Sequence, residues 1–272
     1  MRLGPPCRRQ RGFSLVELAV VLAIVALLLG TLMYTLAAQT EQRAREQTQR
    51  TLEQAREALL GYAIANGRLP CPASAASAGI ESPAGGGDCS NYYDGFLPAV
   101  TIGFQPVDSQ GFAVDAWNNR LRYAVARNLN AATCAGTSAV PHFTVRATLK
   151  QNGMSCQPNS NELLICKSAV TAPAPAPGSC GVAGNAITNA NPSGTVVAVV
   201  ISVGKNFALA PSAAAAVAAG NVDEAANLDG NSVFISHPPA PAGAAGGEFD
   251  DMLVWIPVGS FYGRLTAAGV LP

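Results

Sequence analysis

Six cysteines, Cys71, Cys89, Cys134, Cys156, Cys166 and Cys180, lie in the last three quarters of the chain, and a seventh, Cys7, stands near its start. No two form a C-x-x-C pair and no histidine stands beside a cysteine cluster, so zinc ligation lacks its usual spacing. Oxidation to three disulfides is the chemistry that this set suits, provided that the segment reaches an oxidising compartment. Six cysteines allow 15 connectivities and spacing does not choose among them. Cys71 with Cys89, and Cys156 with Cys166, would close short local loops. For turnover the chain offers little. Its two histidines, His142 and His237, fall at the ends of strand-like runs, where an ordinary edge residue is expected rather than a base. There is no G-x-S-x-G and no H-E-x-x-H, and Gly204-Lys205 is followed by Asn206, which breaks the phosphate-loop pattern. Asp250 and Asp251 open a strand-like run, where alternation is expected to point their carboxylates apart. These absences make the expectation a non-enzyme.

What must position the cysteines is a head carried on a long helix. From Leu18 to Ala38 the chain runs 21 residues without a charge, about 31 Å as helix and long enough to span a bilayer. Arg2, Arg8, Arg9 and Arg11 precede it, with no acid before Glu17. Basic residues stay on the cytoplasmic side, so the chain after Ala38 is expected outside the inner membrane. The 17 basic and 17 acidic residues cancel, which argues against a nucleic-acid partner.

Glu17 is the costly residue of this segment, since a carboxylate at the edge of a membrane helix needs a partner. The stretch Arg11-Gly12-Phe13-Ser14-Leu15-Val16-Glu17-Leu18 resembles the processing site of type IV pilins and type II secretion pseudopilins. The resemblance implies a prepilin peptidase that cuts between Gly12 and Phe13, N-methylation of Phe13, and retention of the whole apolar helix. Glu17 then takes the position of the family's glutamate and pairs with the terminal amine of a neighbouring subunit, each charge offsetting the other's burial. Many members carry a proline about twenty residues into the mature helix. This chain has Tyr34 there and no proline until Pro70, so no proline kink is expected.

Beyond Ala38, opposite charges four apart at Glu41 and Arg45 and at Glu46 and Arg50 extend the helix. Leu52, Ala55, Leu59 and Tyr62 give it an apolar side, and Asn66-Gly67 before Pro70 stops it. A helix from Phe13 to about Ala65 is about 80 Å long. The expected organisation is a leader over 1–12, an assembly half over 13–38, an amphipathic half over 39–66 and a disulfide-containing head over 67–272. In the head, Leu121–Val125, His142–Leu149, Glu162–Cys166, Thr195–Val203, Ser232–Ser236 and Met252–Ile256 read as strands, Ala213–Ala219 and Phe261–Ala268 as short helices. Thr171–Gly178 and Pro238–Gly247 read as exposed loops. The whole is an α+β fold, an antiparallel sheet on a helical spine.

Two head motifs carry a further resemblance. Asp115-Ala116-Trp117-Asn118 resembles the Asp-Pro-Trp-Gly turn of the major pseudopilins, with Asn118 suited to a positive φ. Ser202-Val203-Gly204, Asp229-Gly230-Asn231 and Asp250-Asp251 through Trp255 are similar to the end of those proteins, where an acidic loop binds calcium. By that resemblance Asp229, Asn231, Asp250 and Asp251 could supply the oxygens that a hard cation needs. The alternative is a plain turn at Asp229-Gly230 with solvated acids. The function expected is that of a minor pilin or pseudopilin, with prepilin peptidase, sister subunits and the inner membrane as partners. The competing expectation is a membrane-anchored periplasmic binding or adhesive domain outside any filament.

Overall fold

The protein's structure, a computed structural model, describes residues 14–128, 140–156, 162–188 and 195–271, with the backbone alone for 29–37. The chain divides into two compact units, Met1–Glu46 and Gln47–Pro272.

The first unit holds the beginning of helix α1, Leu15–Asn66. The helix is continuous through position 34, as the absence of proline leads one to expect. On its polar stretch the Arg45 guanidinium donates to Glu41 at 3.1 Å.

In the second unit α1 turns amphipathic. Leu52, Ala55, Leu59 and Ala63 recur every three or four residues and are fully buried, so one stripe of the helix enters the core. Tyr62, expected on that side, is only half-buried. Its hydroxyl turns to the Glu81 carboxylate at 3.3 Å. Gly67 adopts φ +69 and its N–H reaches the Ala63 carbonyl at 2.8 Å, a left-handed stop that a side chain would strain.

Against the helix lies a four-stranded antiparallel sheet in the order β1-β2-β4-β6, formed by β1 (Gly95–Phe96), β2 (Arg122–Val125), β4 (Val196–Ser202) and β6 (Met252–Pro257). Strand β4, VVAVVIS, is buried along its whole length. A central strand covered on both faces calls for such a run of β-branched residues. Strands β3 (Leu164–Cys166) and β5 (Val233–Ile235) pair in parallel outside this sheet, so the expectation of one antiparallel sheet holds only for the other four.

Short helices α2 (Ala99–Ile102), α3 (Arg146–Asn152), α4 (Ala213–Ala219), α5 (Val222–Asn227) and α6 (Val258–Ala267) complete the unit. Helix α4 covers the span expected for it, opened by Ser212, whose side chain accepts from the Ala215 N–H, and closed by Gly220. The run His142–Leu149 is not a strand. His142–Thr144 are buried loop and α3 begins at Arg146. The Thr148 hydroxyl donates to the carbonyls of Pro141 at 2.8 Å and Val145 at 2.9 Å. Those local bonds close the segment on itself where a strand would need a neighbour.

Two disulfides are in place, Cys71–Cys89 and Cys166–Cys180, spanning 18 and 14 residues. The suggested Cys156–Cys166 bridge is therefore overturned. Cys166 lies in β3 and faces the return of the Pro-rich loop instead. Cys156 is also disulfide-bonded, while Cys134 falls outside the described residues. In the chain-entropy account each short bridge stabilises by about 3 kcal/mol.

Candidate functional site: the amino terminus and a buried carboxylate cluster

At the start of α1, Ser14 and Glu17 face each other through two reciprocal bonds. The Ser14 N–H donates to Glu17 Oε2 at 3.0 Å, and the Glu17 N–H donates to Ser14 Oγ at 3.2 Å. This is a capping box, which satisfies two of the donors that every helix leaves open at its first turn. Positions 14–28 are exposed in the chain by itself, and the side chains of Leu15, Leu18, Leu22 and Leu27 are more than half accessible. Gly12 and Phe13 lie outside the described residues. Among the described residues no helix is long and apolar enough to cross a membrane. Positions 29–37, which belong to the uncharged run, have no described side chains.

The head's own site is assembled around the end of β4. Asp115 Oδ1 accepts the N–H groups of Trp117 at 2.9 Å and Asn119 at 2.8 Å, and Asn118 takes φ +67, the conformation that its type suggests. The other oxygen of Asp115 accepts from the Ser202 hydroxyl at 2.6 Å, while the Asn119 amide donates to the Gly204 carbonyl at 2.5 Å. The two motifs that resemble pseudopilin segments are thus clasped together. Thr48 of α1 accepts the Ala116 N–H at 3.2 Å, which ties the spine to the same turn.

Behind Gly204 stand three carboxylates, Glu224 of α5 with Asp250 and Asp251 ahead of β6, whose oxygens lie within 4.8 Å of one another. All three are buried, at 3%, 5% and 6% exposure. Asp250 Oδ2 accepts the N–H groups of Lys205 at 2.9 Å and Asn206 at 3.1 Å. Glu224 accepts from the amides of Asn206 and Asn221 and from the Asp250 N–H. Asp251 accepts from the Asn227 amide at 2.8 Å. Gly204 has to be glycine, because a Cβ there would fall 1.7 Å from Asp250 Oδ1 at a φ of +65. The adjacent carboxylates correct the expectation that Asp250 and Asp251 diverge. Both residues precede β6, which begins at Met252, so strand alternation does not govern them.

The four expected cation ligands do not come together as a set. Asp229 and Asn231 form a separate exposed turn, in which Asp229 Oδ1 accepts the Asn231 N–H at 2.9 Å. The acids that could hold a metal among the described residues are Glu224, Asp250 and Asp251. Three carboxylates suit a hard cation, with Glu224 taking the place that sequence assigned to the Asp229 turn.

The charges explain what the cluster does without one. Burial, reinforced by the negative charges of Glu224 and Asp250, holds the Asp251 carboxyl well above the usual carboxylate range, against the opposing Asn227 bond and Arg122. Burial likewise raises Glu224, against its hydrogen bonds. A raised carboxyl pKa means that the folded state binds the proton more tightly than the unfolded chain. The corresponding stability is complete below about pH 4 and is lost as pH climbs through the folded value. Asp251→Asn is therefore expected to melt above wild type at pH 8, with the gap closing towards pH 4. Calcium, if it binds the triad, should raise the wild-type melting temperature at pH 8 and leave the variant less affected. Melting curves across pH with and without calcium check both statements.

His142 is not the ordinary edge residue that was expected. His142 is fully buried. The Tyr262 hydroxyl donates to the Cys156 carbonyl at 2.5 Å, so His142 Nε2, 2.9 Å from the Tyr262 oxygen, is the donor of that contact. Burial lowers His142 to about 4, a neutral core imidazole. His237 stacks on Phe249 with centroids 3.9 Å apart and lies 3.1 Å from Asp223. The Ser168 hydroxyl bonds to Asp223 at 3.0 Å, which places the carboxylate, and not the imidazole, beside the serine.

Residues 7–33 match the prokaryotic N-terminal methylation motif. No curated protein and no solved structure matches the chain. The matched segment takes in the Gly12-Phe13 junction, the Ser14–Glu17 box and the uncharged run as far as residue 33, and with it the chain carries the amino terminus of a type IV pilin- or pseudopilin-like, prepilin-type protein.

Proposed function

We propose that this protein is a minor structural subunit of a type IV pilus or type II secretion pseudopilus, and that it works by assembly and not by turnover. The observation that carries the reading is the N-terminal methylation motif at 7–33, set on a helix that runs unbroken to Asn66. Prepilin peptidase cuts between Gly12 and Phe13, and Phe13 is N-methylated. The uncharged run holds the precursor in the inner membrane with its head in the periplasm, where the cysteines oxidise. In the fibre, Glu17 meets the amine of a neighbouring subunit. The clasp of the Asp115 turn on Ser202 and Gly204 favours the secretion pseudopilus, since both partners of the clasp resemble pseudopilin segments.

Intact mass and amino-terminal sequencing of the protein from its native host, with the prepilin peptidase present, test this directly. The expected product starts at N-methylated Phe13 and lacks six hydrogens in its head. A product that starts at Met1, or beyond Ala38, overturns the filament reading.

A further inference from the structure

Helix α5 carries a second buried carboxylate, Asp223, that the cluster behind Gly204 does not use. Its side chain is 4% exposed, and it draws three segments together. Asp223 Oδ1 accepts the Ala169 N–H at 2.5 Å and the Ser168 hydroxyl at 3.0 Å, both from the chain that follows β3. The Asp223 N–H donates to the Gly246 carbonyl at 3.2 Å, at the return of the loop over 238–247. Asp223 Oδ2 lies 3.1 Å from His237 Nε2, at the entry of the same loop.

The other ring nitrogen of His237, Nδ1, lies 2.7 Å from the Pro238 carbonyl oxygen. A carbonyl and a carboxylate only accept, whereas a neutral imidazole has a single N–H to give. Either neutral tautomer would therefore set a nitrogen lone pair against an oxygen, and the imidazolium alone donates in both directions. Two more features suit the charged ring. Phe249 presents its face at a centroid distance of 3.9 Å, and the face of an aromatic ring attracts a cation. Asp223 Oδ1 already holds two donors, which suits an ionised carboxylate. The other ionisable groups of the elements packed here turn elsewhere. Lys167 reaches the Gly184 carbonyl at 2.7 Å, Glu224 takes the amides of Asn206 and Asn221, and the charge of Glu248 acts on Glu224. Asp250 takes the N–H groups of Lys205 and Asn206, and Asp251 the amide of Asn227.

We propose that His237 is a proton-operated latch: as an imidazolium it ties the entry of the 238–247 loop to α5, and loss of its proton releases that entry. The side chain is 21% exposed, which leaves the proton a path to water. Histidine is the side chain that changes charge between about pH 5 and 8, so the loop is closed on the acidic side of that range and open on the alkaline side. A neutral ring keeps one of its two ties and gives up the other, to Asp223 or to the Pro238 carbonyl. The first amides to respond are those of Ala240 and Phe249, which exchange backbone bonds at 2.9 and 3.0 Å just inside the loop. The latch belongs to the head alone and does not depend on the filament reading.

Nuclear magnetic resonance of the full chain in detergent, labelled with 15N-histidine, reads the latch directly, since His142 and His237 are its two histidines. Both nitrogens of His237 are expected to carry a proton near pH 5 and one of them near pH 8, while His142, which burial lowers to about 4, stays neutral at both. Hydrogen exchange reads the loop. Corrected for the intrinsic effect of pH, the Ala240 and Phe249 amides should lose roughly tenfold in protection over that range, the scale of one charge-assisted hydrogen bond. Val254 of β6, paired with Val200, should not change. His237→Gln, which takes up no proton, should exchange at the open rate at both values. Equal protection of Ala240 and Phe249 at both values in the wild type overturns the proposal, as does a His237 ring with a single N–H near pH 5. The same loss in His237→Gln overturns it too, because the responding group then lies in the carboxylate cluster. A loss that Val254 shares does so as well, since the sheet itself then opens.

Discussion

Replacing Arg68 by alanine is expected to destabilise the head by about 3–5 kcal/mol, the loss that follows when one partner of a buried ion pair is removed. Glu81 is 4% exposed, and Arg68 grips it with both terminal nitrogens, at 2.8 and 2.6 Å. The Cys71 N–H adds a third bond at 3.0 Å. Without the guanidinium the carboxylate stays in a closed site where water does not replace what was lost. The Leu69 carbonyl loses its donor at 3.1 Å in the same stroke. In a unit of this size such a loss lowers the melting temperature by roughly 10 °C. The double substitution Arg68→Met with Glu81→Leu should recover most of it, because removing both charges also removes their desolvation. A melting point for Arg68→Ala within 2 °C of wild type would show that water reaches Glu81.

The second large effect belongs to Glu17. Glu17→Ala should leave peptidase processing near normal and cut entry into filaments about a hundredfold. That factor corresponds to leaving one charge unmet near the bilayer, about 2.5–3.5 kcal/mol. The capping box supplies a control that separates charge from helix closure. Glu17→Gln retains an oxygen for the Ser14 N–H and loses only the charge, whereas Glu17→Ala loses both. If filament entry depends on the pairing of charges, the two variants fail alike, as blots of sheared and cellular fractions would show. If Glu17→Gln assembles normally, the register role is removed and capping alone is left.

Much of the architecture is legible in the residue pattern because it is local. The continuous α1, its stop at Gly67, the apolar β4 and the alanine helix after Ser212 each follow from a run whose period or cap is written in adjacent positions. His142–Leu149 misleads because its alternation is real, while Thr148 bonds locally and α3 takes up the chain from Arg146. The parallel pairing of Leu164–Cys166 with Val233–Ile235 spans nearly seventy positions, a distance over which no short pattern reports. The carboxylate cluster hides for the same reason. Asp250 and Asp251 stand out in the sequence, but Glu224 reaches them only because the fold brings α5 beside the chain ahead of β6, where the Asp250 N–H donates to Glu224 at 2.9 Å. The signal to seek is the amide-rich set Asn206, Asn221 and Asn227, which supplies the donors that buried acids require.

The Cys71–Cys89 bridge begins five residues after α1 ends at Asn66. If α1 is the handle by which a subunit is held in a fibre, a pull along it is resisted by the buried stripe Leu52, Ala55, Leu59 and Ala63, then by Arg68, whose guanidinium holds Glu81, and then meets this covalent stop. Chain drawn out past Cys71 must pass straight to Cys89, so the stretch closed by this bridge, a sequence separation of 18 and about 60 Å of extended chain, never lengthens under load. The head is thus guarded against unravelling at the end where traction would enter, and a reducing agent should make it more extensible before it makes it less folded.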